Sequence, residues 1–167
     1  MNATKHLLLG ATALGLICGA GASAQPRGEV NGYRLHCQSI SGTRDDIVGS
    51  PSRVLAAGGY SCRVDGGPMN GGVTTGSSLG EVQGDRYVGF SGSSVTRKPG
   101  SLLASVHGEF GQETIRDAQG KVTEVRGSGR GRYVLATGDA APLSGKSYRY
   151  VTHWTGPHVF VVDVVAE

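Results

Sequence analysis

Side-chain character alternates with a period of two along most of this chain. In SLLASVHGEF (101–110), Leu102, Ala104, Val106, Gly108 and Phe110 fall on one face, and Leu103, Ser105, His107 and Glu109 on the other. In KSYRYVTHW (146–154), Tyr148, Tyr150, Thr152 and Trp154 share a face opposite Arg149, Val151 and His153. Successive side chains of an extended chain point to opposite sides, so this spacing predicts β-strands. HVFVVDVVAE, at the end of the chain, is apolar on both faces except at Asp163, which predicts a strand buried on two sides.

Turn signals separate these runs. RDAQGK (116–121) predicts a hairpin, Thr155-Gly156-Pro157 a second turn, and VDGGPMNGG and RKPGS further breaks. No run of ten residues combines helical spacing with caps, and the nearest one, around Asp45 to Ala57, is interrupted by Gly49 and Pro51. The expectation is an all-β chain of about eight to ten strands at roughly 8–12-residue spacing, forming an antiparallel barrel of about eight strands or a β-sandwich. Of 29 glycines, 25 lie beyond residue 24, dispersed among the strands rather than gathered in a linker. Strand glycines mark bulges, corners or close backbone approach, which a small barrel needs in order to close.

The amino terminus reads as a targeting signal. Lys5 precedes the apolar stretch LLLGATALGLIC, and Ala22-Ser23-Ala24 supplies small residues at the cleavage positions. These features predict a secretory signal peptide over 1–24, cleaved between Ala24 and Gln25, and a secreted or periplasmic protein. The apolar run is shorter than the ~20 residues that a membrane-spanning helix needs. Cys18 follows Ile17, where a lipobox wants Gly or Ala. Removing 24 of the 167 residues leaves 143, the size of a single domain over 25–167. Cys37 and Cys62 remain in that domain, and in an oxidising compartment they are expected to pair, the alternative being two buried thiols.

Charge narrows the list of partners. Without Lys5, 15 basic residues face 13 acidic ones, a formal net charge of +2. So mild a balance argues against a nucleic acid partner. The most suggestive stretch is VRGSGRGRYVLAT (125–137). A dinucleotide fingerprint fails there, because Arg132 stands at the third glycine position and a strand rather than a helix follows. A P-loop would need a terminal Gly-Lys-Ser/Thr, which is missing. Three arginines and one tyrosine do not make a base-stacking platform. The expected structure is a strand pair with a glycine corner. Gly129, Gly131, Tyr133, Ala136 and Gly138 give a version of the Gly-x-Gly-x-Tyr/Phe-x-x-Ala-x-Gly run, and over some 15 residues this resembles secreted calycin-like barrels of the allene oxide cyclase and dirigent type. The resemblance implies an antiparallel barrel with an apolar cavity open at one end, and it carries no catalytic residue.

Several residues are candidates for a site. His107 and Glu109, on one strand face, form a possible proton-transfer pair. Tyr133, Arg149, Tyr150, Trp154 and Asp163 are candidate ligand contacts, with Tyr33, Tyr148 and Phe160 as further pocket or core lining. Asp163 is expected to be buried and paired with Arg132 or Arg149, because an unpaired buried carboxylate is costly. His153 and His158 flank a turn that would set them opposite each other, yet two ligands are too few for a tight zinc site. No metal and no cofactor are therefore expected. The leading functional expectation is binding of a small, largely apolar ligand. The alternatives are a cyclase, isomerase or lyase using His107 and Glu109, and a structural or protein-binding envelope module.

Overall fold

A computed structural model describes residues 32–167, so the predicted signal peptide lies outside the described residues. The eight strands are β1 (Gly32–Asp46), β2 (Arg53–Asp65), β3 (Val73–Gln83), β4 (Arg86–Lys98), β5 (Ser101–Arg116), β6 (Val122–Thr137), β7 (Ser147–Gly156) and β8 (Val159–Ala166). Each pairs antiparallel with the next, and β8 returns to β1, closing the barrel. Closure removes both sheet edges, and a barrel of eight strands leaves an interior that side chains can fill or that one small ligand can share.

Short connections fix this order. Gly84-Asp85 joins β3 to β4, with Gln83 opposite Arg86, and Pro99-Gly100 joins β4 to β5, with Lys98 opposite Ser101. Gly100 takes φ +76°, a conformation that only glycine adopts without cost. Arg116 to Lys121 forms the predicted hairpin, in which Asp117 accepts hydrogen bonds from the backbone N–H of Gln119 and Lys121. The region around Asp45 to Ala57 becomes the β1–β2 hairpin rather than a helix.

The barrel has one filled end. The β2–β3 loop supplies Met69, and a 3₁₀ helix at Gly138–Leu143 between β6 and β7 supplies Ala140 and Leu143. These residues join Leu103, Tyr133, Val64 and Val164 in one buried cluster. Cys37 and Cys62 stand directly opposite each other on β1 and β2 and form a disulfide, with Cα atoms 4.0 Å apart. The bond sits within the same cluster and closes a 25-residue separation. Replacing both cysteines by Ser should lower the unfolding free energy by about 3 kcal/mol in chemical denaturation; an unchanged midpoint would refute a stabilising role.

The glycines of VRGSGRGRY do not form the expected corner. β6 runs uninterrupted through them, and Gly127, Gly129 and Gly131 all face inward. Gly129 stands opposite Tyr150, and Gly131 opposite Tyr148. A Cβ at Gly129 would lie 2.6 Å from the Tyr150 hydroxyl, and one at Gly131 would lie 2.5 Å from the Val106 carbonyl and closer still to the Tyr148 hydroxyl. Each ring thus occupies the place of a missing side chain on the neighbouring strand. Gly131→Ala should destabilise the protein by about 1–3 kcal/mol through overpacking. The adjacent Arg130→Ala, on the exposed face, should stay within about 0.5 kcal/mol. Equal thermal melts for the two variants would sink this account.

Candidate functional site: an aromatic cup with a buried histidine

The barrel encloses a cavity of about 800 Å³. The β3–β4 turn residues Gly84 and Asp85 line it, so it opens at the end carrying that hairpin, away from the 3₁₀ helix. Inward positions of successive strands form its wall: Leu35 on β1, Tyr60 on β2, Tyr87 on β4, His107 and Phe110 on β5, Tyr148, Tyr150 and Trp154 on β7, and Phe160 and Val162 on β8. Edge-to-face packing holds several rings in place, with Tyr60 and Phe160 centroids 6.0 Å apart and those of His107 and Tyr150 5.7 Å apart.

His107 sits at the middle of this wall with both ring nitrogens engaged. Nε2 lies 3.0 Å from the Tyr60 hydroxyl, and Nδ1 lies 2.9 Å from the Tyr148 hydroxyl, which also reaches the Val106 carbonyl at 3.3 Å. One proton arrangement satisfies every partner: Tyr148 donates to the carbonyl, Nδ1–H donates to Tyr148, and Tyr60 donates to Nε2. A second N–H on the ring would leave Tyr60 facing a donor. Burial pushes the His107 pKa down to about 4, so the imidazole is neutral at ordinary pH. Burial likewise pushes Tyr60 up to about 12 and raises Tyr148 and Tyr150, keeping these phenols protonated. Deeper, Tyr33 and Tyr133 join hydroxyl to hydroxyl at 3.0 Å, and Thr74 with Thr96 and Ser94 with Ser105 form hydroxyl pairs at 2.7 Å.

The candidate residues separate into two groups. Tyr150, Trp154 and His107 line the cavity, as do Tyr33, Tyr148 and Phe160. Tyr133 is fully buried outside the cavity lining, in the core cluster at the filled end. Glu109 is exposed on the outside, so the expected shared face with His107 does not hold. The cause is a bulge: β5 spends three steps from His107 to Phe110 while β6 spends two from Gly131 to Gly129. The alternation changes phase there. Phe110 turns inward, against the sequence expectation, and Glu109 turns out.

Arg149 and Asp163 also face away from the cavity. Arg149 alternates with the inward Tyr148 and Tyr150, and its Nε lies 4.0 Å from Glu167. Asp163 is half-exposed rather than buried, and it accepts two hydrogen bonds from Arg34, at 2.7 and 3.0 Å, instead of pairing with Arg132 or Arg149. Arg34 is its direct neighbour on β1, a closure contact that no local spacing reveals. The two histidines of the β7–β8 hairpin are not opposite each other. His153 faces Val161 across the ladder, whereas His158 lies in the turn itself at φ +61°, its carbonyl accepting from the Ser39 N–H. Among the described residues, no group of three or more His, Cys, Asp or Glu side chains could hold a metal ion.

Sequence reasoning missed Tyr60, Tyr87, Phe110 and the arginines at the mouth. Gly76, Gly80 and Gly89, whose missing side chains make room for the rings of Tyr60, Tyr87 and Phe110, were the available signal. With the cavity described, comparison adds no further identification: no family model, curated protein or solved structure matches this chain.

Because His107 is neutral when folded and titrates near pH 6.5 when unfolded, the unfolded chain binds the extra proton between those values. The stabilisation from its burial is complete above about pH 6.5 and is lost as pH falls toward about 4, a change on the order of 3 kcal/mol. His107→Gln should flatten the fall in unfolding free energy across that window. Parallel pH profiles for the two proteins would contradict the assignment.

Proposed function

We propose that this chain is an exported, periplasmic or secreted, barrel that binds a small, largely apolar ligand. The observation that carries the reading is the cavity of about 800 Å³, open at one end and walled by aromatic and aliphatic side chains. Its size falls in the range of small-molecule pockets, roughly 300–1,000 Å³. Aromatic rings with polar tips offer a ligand both apolar contact and a few hydrogen bonds. The leader-like amino terminus and the disulfide support export, since such bonds persist in oxidising compartments. The resemblance to allene oxide cyclase and dirigent barrels belongs to this proposal for its architecture alone.

The enzyme alternative receives less support. Its carboxylate, Glu109, is outside the cavity, and both nitrogens of His107 are already engaged by tyrosines. Ligand binding needs neither group to react.

The test uses phenylnaphthylamine, an uncharged probe whose emission rises in apolar surroundings, excited directly so that Trp154 does not contribute. We expect saturable binding of one probe per chain. Ala56, opposite Gly80 and among the lining residues, offers a place to plug the cavity. Ala56→Trp should weaken binding at least about tenfold, the equivalent of ~1.4 kcal/mol, without lowering the melting temperature. Probe binding that is not saturable, or that the plug leaves unchanged in a folded protein, would overturn the reading.

A further inference from the structure

The charges lining the cavity have an uneven distribution that goes beyond a general preference for apolar molecules. Four charged residues line it, Arg44, Asp85, Arg86 and Arg116, but Arg86, beside the inward Tyr87 and paired across the ladders with Gln83 and Glu113, turns its side chain to the outer face. All four come from the open end, namely the last turns of β1 and β5 and the β3–β4 hairpin. Asp85 is already engaged, accepting from Arg116 Nε at 2.9 and 3.1 Å. Arg44 makes no ion pair among the described residues. Glu113, opposite Arg86 across the β4–β5 ladder, lies 3.7 Å from Arg126. Among these lining residues the rim therefore carries an excess of one positive charge, that of Arg44, over an aromatic belt of Tyr87, Phe110, Trp154 and Phe160.

The interior below that rim offers a charged group no counter-ion. Its polar side chains include hydroxyls that bond one another, a histidine fixed between two phenols, and the neutral Thr152 Oγ1 and Trp154 Nε1. An ionised group carried to that depth would lose its hydration without gaining a counter-ion, whereas one held at the mouth keeps water on one side and gains a guanidinium partner on the other. Arginine suits this task, since its planar fork can hold a carboxylate or sulfonate with two hydrogen bonds. A cationic ligand would meet repulsion at the same place.

We propose that the ligand is an amphiphilic anion: a compact aromatic or polycyclic body seated among the cavity rings, with a carboxylate or sulfonate held at the mouth by Arg44, which shares the inward face with Ala56. The inference rests on the cavity-binding reading above and adds the sign and position of the ligand's charge. Orientation follows from it, with the apolar end inward toward Tyr60 and Tyr150 and the charged end at the rim.

A matched pair of probes separates the two claims. Anilinonaphthalene sulfonate and phenylnaphthylamine share one aromatic skeleton and differ by the sulfonate. In low salt the sulfonate should bind about fivefold more tightly, and its advantage should shrink at high ionic strength, where exposed charges are screened. The variant Arg44→Gln should abolish that advantage while leaving phenylnaphthylamine affinity within about twofold, which also shows that the variant is folded. If the two probes bind equally well, or the variant keeps the sulfonate preference, the anion assignment fails and the cavity reading stands. If neither probe binds the wild-type protein, both fail together.

Discussion

The interior of this barrel depends on aromatic side chains lying over glycines of the neighbouring strand. Tyr60 faces Gly76, Phe110 faces Gly89, His107 faces Gly92, Tyr150 faces Gly129 and Tyr148 faces Gly131, each as a direct cross-strand pair. A Cβ at any of these glycines would fall within 3 Å of the opposing side chain. Cross-strand pairs are the unit of sheet stability, and here a ring against bare backbone replaces the usual pair of side chains. Two consequences follow. The rings lie where a smaller-walled barrel would carry side chains on every strand, and the space at the centre stays open. High glycine content, which in another context would signal disorder, is here what lets eight strands enclose both large rings and a cavity.

Polarity is sorted by depth. Charged side chains stay on the outer face or at the ends of the barrel, as in the partly solvated pairs Arg34 with Asp163, Arg116 with Asp85 and Lys98 with Asp139. Such exposed pairs contribute little stability individually. Inside, hydroxyls of Thr74 with Thr96 and Ser94 with Ser105 satisfy each other, and His107 is kept neutral by burial. Two buried polar atoms, Thr152 Oγ1 and Trp154 Nε1, have no partner among the described residues, and both residues belong to the cavity wall. The disulfide ties β1 to β2 beside the strand pair that closes the barrel, so the covalent constraint acts near the seam with β8.

Much of the site was legible in β7 because its alternation is unbroken: Tyr148, Tyr150, Thr152 and Trp154 face inward as the period of two requires. β5 was legible only as far as His107. The bulge beyond it reverses the phase, which separated His107 from Glu109 and brought Phe110 inside. Gly108 stood in the sequence as a hint, yet a glycine does not reveal which partner strand will lose a residue. Asp163 misled for a related reason. Valines on both sides suggested burial, but its partner Arg34 is 129 residues distant and becomes a neighbour only when the barrel closes.

Sequence alone determined the strands, their turns and the presence of a cysteine pair able to cross-link them, because side-chain alternation and turn chemistry are properties of adjacent residues. Tertiary structure decided that the sheet closes as a barrel, where its bulges shift the inward face, and that Arg44 and Arg116 gather at one mouth. Those outcomes depend on register between strands far apart in the chain, and register is a balance of packing across the whole wall that no short window of residues contains.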